Sequence, residues 1–171
     1  DFDIPAWSKQ PGPGPSGYGQ PSRFVTGIQR DPGRANPLYP GGGASRTPLH
    51  QLRGTITPNG LHFERHHAGV PDVDPTQHTL VINGLVAQPL AFDYESLLRY
   101  PMVSRIQFLE CSGNSGALFR DTAVDGTAQS INGLVSCAEW TGIPLSVLLD
   151  EAGVSPEARW ISAVGADAAS M

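Results

Sequence analysis

The alternation of apolar and polar positions changes character near residue 50. From Leu52 onward it falls into short regular runs bounded by turn residues. In "GTITPNGLHFER" a Pro-Asn-Gly turn separates two short extended pieces. "HTLVINGLV" reads as a strand broken at Asn83-Gly84. "AFDYESLLRYP" predicts a short helix with Asp93 as N-cap, Glu95 in the first turn and Pro101 as its stop. The run "MVSRIQFLE" predicts a buried strand. "GIPLSVLLDEAGV" predicts a second helix, with Pro144 in its first turn and Gly153 just past its end. "ARWISAVGAD" predicts the start of another strand. Strands alternating with short helices and long loops define an α+β domain over residues 52–171.

Residues 1–51 carry neither period. Stretches such as "KQPGPGPSGYGQPS" and "RDPGRANPLYPGGGASRTP" make the first fifty residues about a third Pro plus Gly. Such a segment cannot offset its ordering entropy by its own burial, so an extended arm is predicted. Its punctuation by Phe2, Trp7, Tyr18, Phe24 and Tyr39 suggests an arm that lies on a surface; a flexible linker is the plainer reading.

Composition removes some functions. The 171 residues suffice for one core, 39% are hydrophobic and only 16% charged, and the net charge is −5. There is no basic cluster, and Lys9 is the single lysine, so nucleic acid is not expected as a partner. The apolar runs are too short to span a bilayer, and no membrane association is expected. No charged-then-apolar leader precedes Asp1, which fits either a cytoplasmic protein or one already processed. Two cysteines permit one disulfide and leave the compartment open.

Two clusters carry candidate chemistry. Cys111 stands where the run Ile106–Leu109 ends and the small-residue turn Ser112-Gly113-Asn114-Ser115-Gly116 begins. It is a packed apolar thiol, a disulfide partner of Cys137, or a soft anionic ligand on a turn that a large ligand can approach closely. The second cluster is "HFERHHAGVP", which holds His62, Arg65, His66 and His67. Adjacent histidines on a strand face opposite ways, so they do not share one metal. Arg65 is a candidate anion fork, or simply one half of a surface ion pair. No dinucleotide-binding, phosphate-loop or nucleophile-elbow motif is present.

Three segments in order, "FERHHAGVPDVDP" (Phe63–Pro75), "FLECSGNSG" (Phe108–Gly116) and "CAEWTGIPLSVLLDEAGV" (Cys137–Val154), resemble the molybdenum-binding domain of the sulfite oxidase family. "GTITPNGLHFERHHAGVPD", "SRIQFLEC" and the arm's "IPAWS" further resemble its sulfane dehydrogenase subgroup, from the bacterial Sox sulfur-oxidation system. The fold so implied is the N-terminal portion of a mixed-sheet molybdopterin-binding domain. That domain continues past Met171 and is commonly followed by an immunoglobulin-like dimerisation domain.

The resemblance implies a molybdenum–molybdopterin cofactor with Cys111 as the protein's one metal ligand. Arg65, in the family's Phe-x-Arg-Asn-His pattern, would face an oxyanion. Phe63, His66 (where the family has Asn), His67, Ser112, Asn114 and Asp167 would contact the cofactor. Sulfite-oxidising members follow the cysteine with Gly-Asn-Arg; here Ser115 replaces that arginine. Less charge and more room suit sulfur held on a carrier protein rather than free sulfite. The implied reaction transfers an oxo group to a carrier-bound sulfane sulfur and passes electrons to a c-type cytochrome. This chain has no Cys-x-x-Cys-His haem site, so the haem belongs to a partner subunit. A homodimer or a heterotetramer with the cytochrome, in the periplasm and with its leader removed, completes the expectation. The alternatives are a sulfite:cytochrome c oxidoreductase and, in another class, a metal-free anion-binding module with a Cys111–Cys137 disulfide.

Overall fold

The computed structural model describes residues 5–33 and 41–165. Among them run β1 (Gly43–Ser45), β2 (Glu64–His66), β3 (Thr79–Ile82), β4 (Leu90–Asp93), α1 (Tyr94–Leu97), β5 (Val103–Glu110), α2 (Ala128–Asn132), β6 (Val135–Gly142) and α3 (Leu145–Ala152). The strands pair as three antiparallel ribbons, β1 with β2, β3 with β4 and β5 with β6.

The longest ribbon organises the rest. β5 and β6 pair from Val103↔Gly142 to Glu110↔Val135. Along β6 and the residue before it, Leu134, Ser136 and Ala138 are buried at alternate positions, the period of a half-buried strand. Irregular chain is stitched onto the same segment. Thr57 N donates to Cys137 O at 2.8 Å, Cys137 N donates to Thr57 Oγ1 at 3.2 Å, and Thr47 N donates to Gly133 O at 2.9 Å. Thr47 and Ser136, both buried, share a hydroxyl–hydroxyl bond of 2.7 Å.

β5 itself is not the buried strand its apolar run predicts: all eight residues are exposed. Ile106 and Phe108 sit opposite Glu139 and Cys137, on the ribbon face away from Ser136 and Ala138, and Phe108 keeps 68% of its surface open. An apolar run states that a face is worth covering; it does not supply the cover. The predicted strand from Ala158 also differs. Its described residues pair with no described strand, and Trp160, Ile161 and Val164 are exposed. Extended chain becomes a strand only when an edge accepts its amides.

The two helices expected from the sequence, α1 and α3, follow their local signals. Asp93 caps α1 by accepting the Ser96 amide at 2.7 Å. α3 buries Leu148 and Ala152, one turn apart, with Pro144 as its N-cap rather than inside its first turn. It ends at Gly153 with φ 68°, where a Cβ would lie 2.8 Å from that of Ala87. There Ala87 N donates to Gly153 O and Gln88 N to Ala152 O, tying the β3–β4 ribbon to the end of α3. Phe92 packs edge-on against Tyr100, whose hydroxyl donates to Glu151; that bond holds the phenol above its ordinary range.

Within the arm, Tyr18 and Phe24 are exposed rather than laid on the body of this chain. Phe2 and Tyr39 lie outside the described residues. Attachment begins at Gln29, whose carbonyl accepts from Gln129 Nε2 at 3.1 Å, and at Asp31, which exchanges backbone bonds with Arg46. Among the described residues no helix is long and apolar enough to cross a membrane.

Candidate functional site: a thiol turn beside the Arg65 strand

Cys111 is the first residue past β5. Its amide donates to Leu134 O at 3.0 Å, which extends the ribbon by one step before the chain opens into the turn. The turn is closed by Asn114 N donating to Cys111 O at 2.9 Å. Asn114 Nδ2 donates to Glu110 Oε1 at 2.8 Å, and Asn114 Oδ1 accepts the Leu134 amide at 3.0 Å. Both polar atoms of this side chain are therefore committed to shaping the turn. Ser112 is exposed and Cys111 half-buried. The Ser115 side chain points inward, its hydroxyl donating to Asn132 Oδ1 at 2.6 Å.

The second cluster approaches the same end of β6. Phe63 N donates to Ser136 Oγ at 3.0 Å, so Phe63 docks two residues from the Leu134 that anchors Cys111. Along a strand that step is about 7 Å. From Phe63 the chain enters β2, where Glu64 and His66 are half-buried and Arg65, on the other face, is exposed. Arg65 Nη1 donates to Gly43 O at 3.4 Å and to the His66 carbonyl, folding the guanidinium over β1. Glu64 pairs with Arg30 of the arm and lies 3.7 Å from His66 Nε2. Arg30 also donates to His62 O at 3.2 Å. His62 stacks on Phe63 at 5.2 Å and meets Trp140 edge-on at 5.6 Å.

Of the residues the sequence singled out, the structure thus brings Phe63, Arg65, His66, Cys111, Ser112 and Asn114 to one end of the β5–β6 ribbon. His67 follows β2 in an exposed bend, and Asp167 lies outside the described residues. Thr47, Ser136, Arg30 and Asn132 also build the site, and the sequence reading missed them. Each acts through a contact distant along the chain, for which no local period exists.

The disulfide reading fails on geometry. Cys111 stands opposite Leu134 and Cys137 opposite Phe108, so the two lie three strand steps apart, about 10 Å, beyond the ~7 Å a disulfide tolerates. Both thiols are free.

The donor set also limits which metal group fits. Among the described residues no three His, Cys, Asp or Glu side chains converge as an ion site. One free thiol stands on an open turn, and the buried ring nitrogens His62 Nε2 and His66 Nε2 have no hydrogen-bond partner among those residues. A lone thiol cannot complete a metal's coordination shell. It suits a group that arrives carrying its own sulfur ligands.

Comparison with known proteins agrees with that chemistry. The family model described as the oxidoreductase molybdopterin binding domain matches residues 67–171, and the chain belongs to this family, that of sulfite oxidase. It is similar to the sulfane dehydrogenase SoxCD from Paracoccus pantotrophus in crystal form: 40% identity and a TM-score of 0.86, over 96% of this chain and 43% of that one. The NADPH nitrate reductase of Phytophthora infestans is 36% identical over 123 residues, 68% of this chain and 13% of that protein. Mouse mitochondrial sulfite oxidase is 31% identical over 101 residues, 58% of this chain and 18% of that protein. The chain spans less than a fifth of the length of these two curated relatives.

Proposed function

We propose that this chain is part of a periplasmic molybdenum enzyme that oxidises carrier-bound sulfane sulfur and delivers the electrons to a c-type cytochrome subunit. The observation that carries the reading is the free thiol of Cys111 on the open turn at the end of β5, beside a Ser115 whose hydroxyl is bonded to Asn132. Likeness to a sulfane dehydrogenase along 96% of the chain supports it.

Cys111 would ligate the metal as thiolate, with Ser112 bordering the metal's pterin. Asn114 would act by fixing the turn that presents the sulfur, both its polar atoms being bonded within the protein. Phe63, His66 and His67 would line the pterin's side of the site, with Asp167 contributing from the far end of the chain. When bound, the molybdenum group supplies oxo transfer to sulfur coupled to two-electron redox chemistry. Arg65, with a fixed charge on an exposed strand face, would orient the anionic sulfur product. With no side chain of Ser115 aimed outward, the opening gains width at the expense of positive charge, which favours a thiol-tethered substrate over a small dianion.

Steady-state assays with a carrier-bound persulfide and with free sulfite test this substrate. The expected outcome is turnover that depends on the carrier. Efficient oxidation of free sulfite without carrier contradicts it and favours a sulfite:cytochrome c oxidoreductase.

A further inference from the structure

The turn that holds Cys111 depends on a backbone conformation that its own residues do not favour. Ser115 is the one non-glycine among the described residues with a left-handed backbone, φ 60°. A Cβ disfavours that region, so something outside the residue must hold it there. Two bonds do so. Ser115 N donates to Ile131 O at 3.1 Å, and Ser115 Oγ donates to Asn132 Oδ1 at 2.6 Å.

Asn132 is a firm anchor. It is the last residue of α2, whose first turn is fixed by a reciprocal capping box between Thr127 and Ser130. The next residue, Gly133, is boxed in: a Cβ there would meet Gln129 O at 2.3 Å and Arg46 Cβ at 2.7 Å. Gln129 in turn donates to Arg46 O and Gln29 O. The helix end cannot slide. Four hydrogen bonds stitch the thiol turn to residues 131–134: those from Cys111 N and Ser115 N, that from Leu134 N to Asn114, and the one received by Asn132. Only the last uses a side chain on the 131–134 side. Gly113 lies on the sulfur's side of the turn: a Cβ added there would stand 3.9 Å from Cys111 Sγ.

We infer that Asn132 is a positioning residue for the molybdenum chemistry: through Ser115 it fixes the direction in which Cys111 presents its sulfur. The inference rests on Cys111 being the metal ligand. Without Asn132 Oδ1, Ser115 relaxes toward the right-handed region and carries Gly113 and Asn114 with it. Side chains that orient a metal ligand from behind are worth about 10- to 100-fold in metal affinity or activity.

The test uses the cofactor-loaded protein and reads molybdenum content, the paramagnetic resonance spectrum of the molybdenum centre, kcat and KM, and thermal unfolding. Asn132→Ala is expected to alter the spectrum and lower kcat about tenfold while KM holds. Ser115→Ala removes the same bond without touching α2 and is expected to give the same spectral change. In Asn132→Ala combined with Ser115→Gly the spectrum returns toward wild type, because glycine adopts the left-handed region unaided. Gly153→Ala strains the end of α3, away from the thiol turn, and is expected to lower the unfolding temperature with the spectrum unchanged. A spectrum that Asn132→Ala and Ser115→Ala both leave as wild type overturns the inference, as does failure of the glycine double variant to recover it. If Cys111→Ser also leaves the spectrum as wild type, the ligand assignment itself falls, a result distinct from failure of the Asn132 inference alone.

Discussion

Ser136 is where the two candidate clusters meet. Its hydroxyl accepts the Phe63 amide and bonds the Thr47 hydroxyl, all but sealed from water, while the neighbouring Leu134 anchors the Cys111 turn. Ser136→Ala strands a buried Thr47 hydroxyl and the Phe63 amide together. It should cost about 1–3 kcal/mol, read as a lower denaturant midpoint with unchanged m-value. An unchanged midpoint would show that water replaces the serine at no cost. Cys111 and Arg65 stood out in sequence because each sits at a change of pattern: a strand running into small residues, and a charged fork inside an extended piece. Asn132 was not, because its partner Ser115 lies 17 positions away on a different element and no spacing rule joins them. Arg30 was equally hidden, donating to a carbonyl 32 positions away from within a stretch that reads as linker.

At the scale of elements, local chemistry decided what local chemistry can decide. The Asp93 cap, the Asn83-Gly84 break and the Gly153 stop all stand where turn and capping rules put them, because each is satisfied within a few residues. The apolar run of β5 was read correctly as a strand and wrongly as buried, since burial depends on what lies across the ribbon. Two consequences are measurable. Gly153→Ala imposes a Cβ on a left-handed residue facing Ala87, and should destabilise by about 1–2 kcal/mol or more. It should also loosen the β3–β4 ribbon in amide exchange; exchange confined to α3 would contradict the tie between them.

Asp93 gives a pH signature. Hydrogen bonds from the Ser96 hydroxyl and amide hold its carboxyl below the ordinary 3.8. A carboxylate whose value is depressed in the folded state stabilises fully above its unfolded value and loses that contribution as pH falls through the folded one. Asp93→Asn should therefore flatten the unfolding temperature below about pH 4 relative to wild type. The change is small and salt-sensitive because the group is exposed. Parallel acid profiles for the two proteins would contradict the assignment.

For the whole molecule, the site is one end of a ribbon with its outer face open. Leu134, Ser136 and Ala138 are buried on the side where Thr47, Thr57 and Phe63 are hydrogen-bonded to β6 and the residues before it, whereas Ile106 and Phe108 keep most of their surface open. A sequence reads its own apolar demand, and the answering surface belongs to chain with which it does not pair locally. Family membership was legible because three short segments stand in the family's order along one chain.

The central claim is that the thiol at the end of β5 is bonded to the metal. X-ray absorption at the molybdenum edge, on wild type and on Cys111→Ser, tests it most directly. The account predicts that the variant's metal retains the pterin sulfurs but loses one sulfur scatterer, replaced by a shorter oxygen distance. An identical sulfur shell in both proteins, or a wild-type protein that binds no molybdenum when expressed with the cofactor, would contradict it.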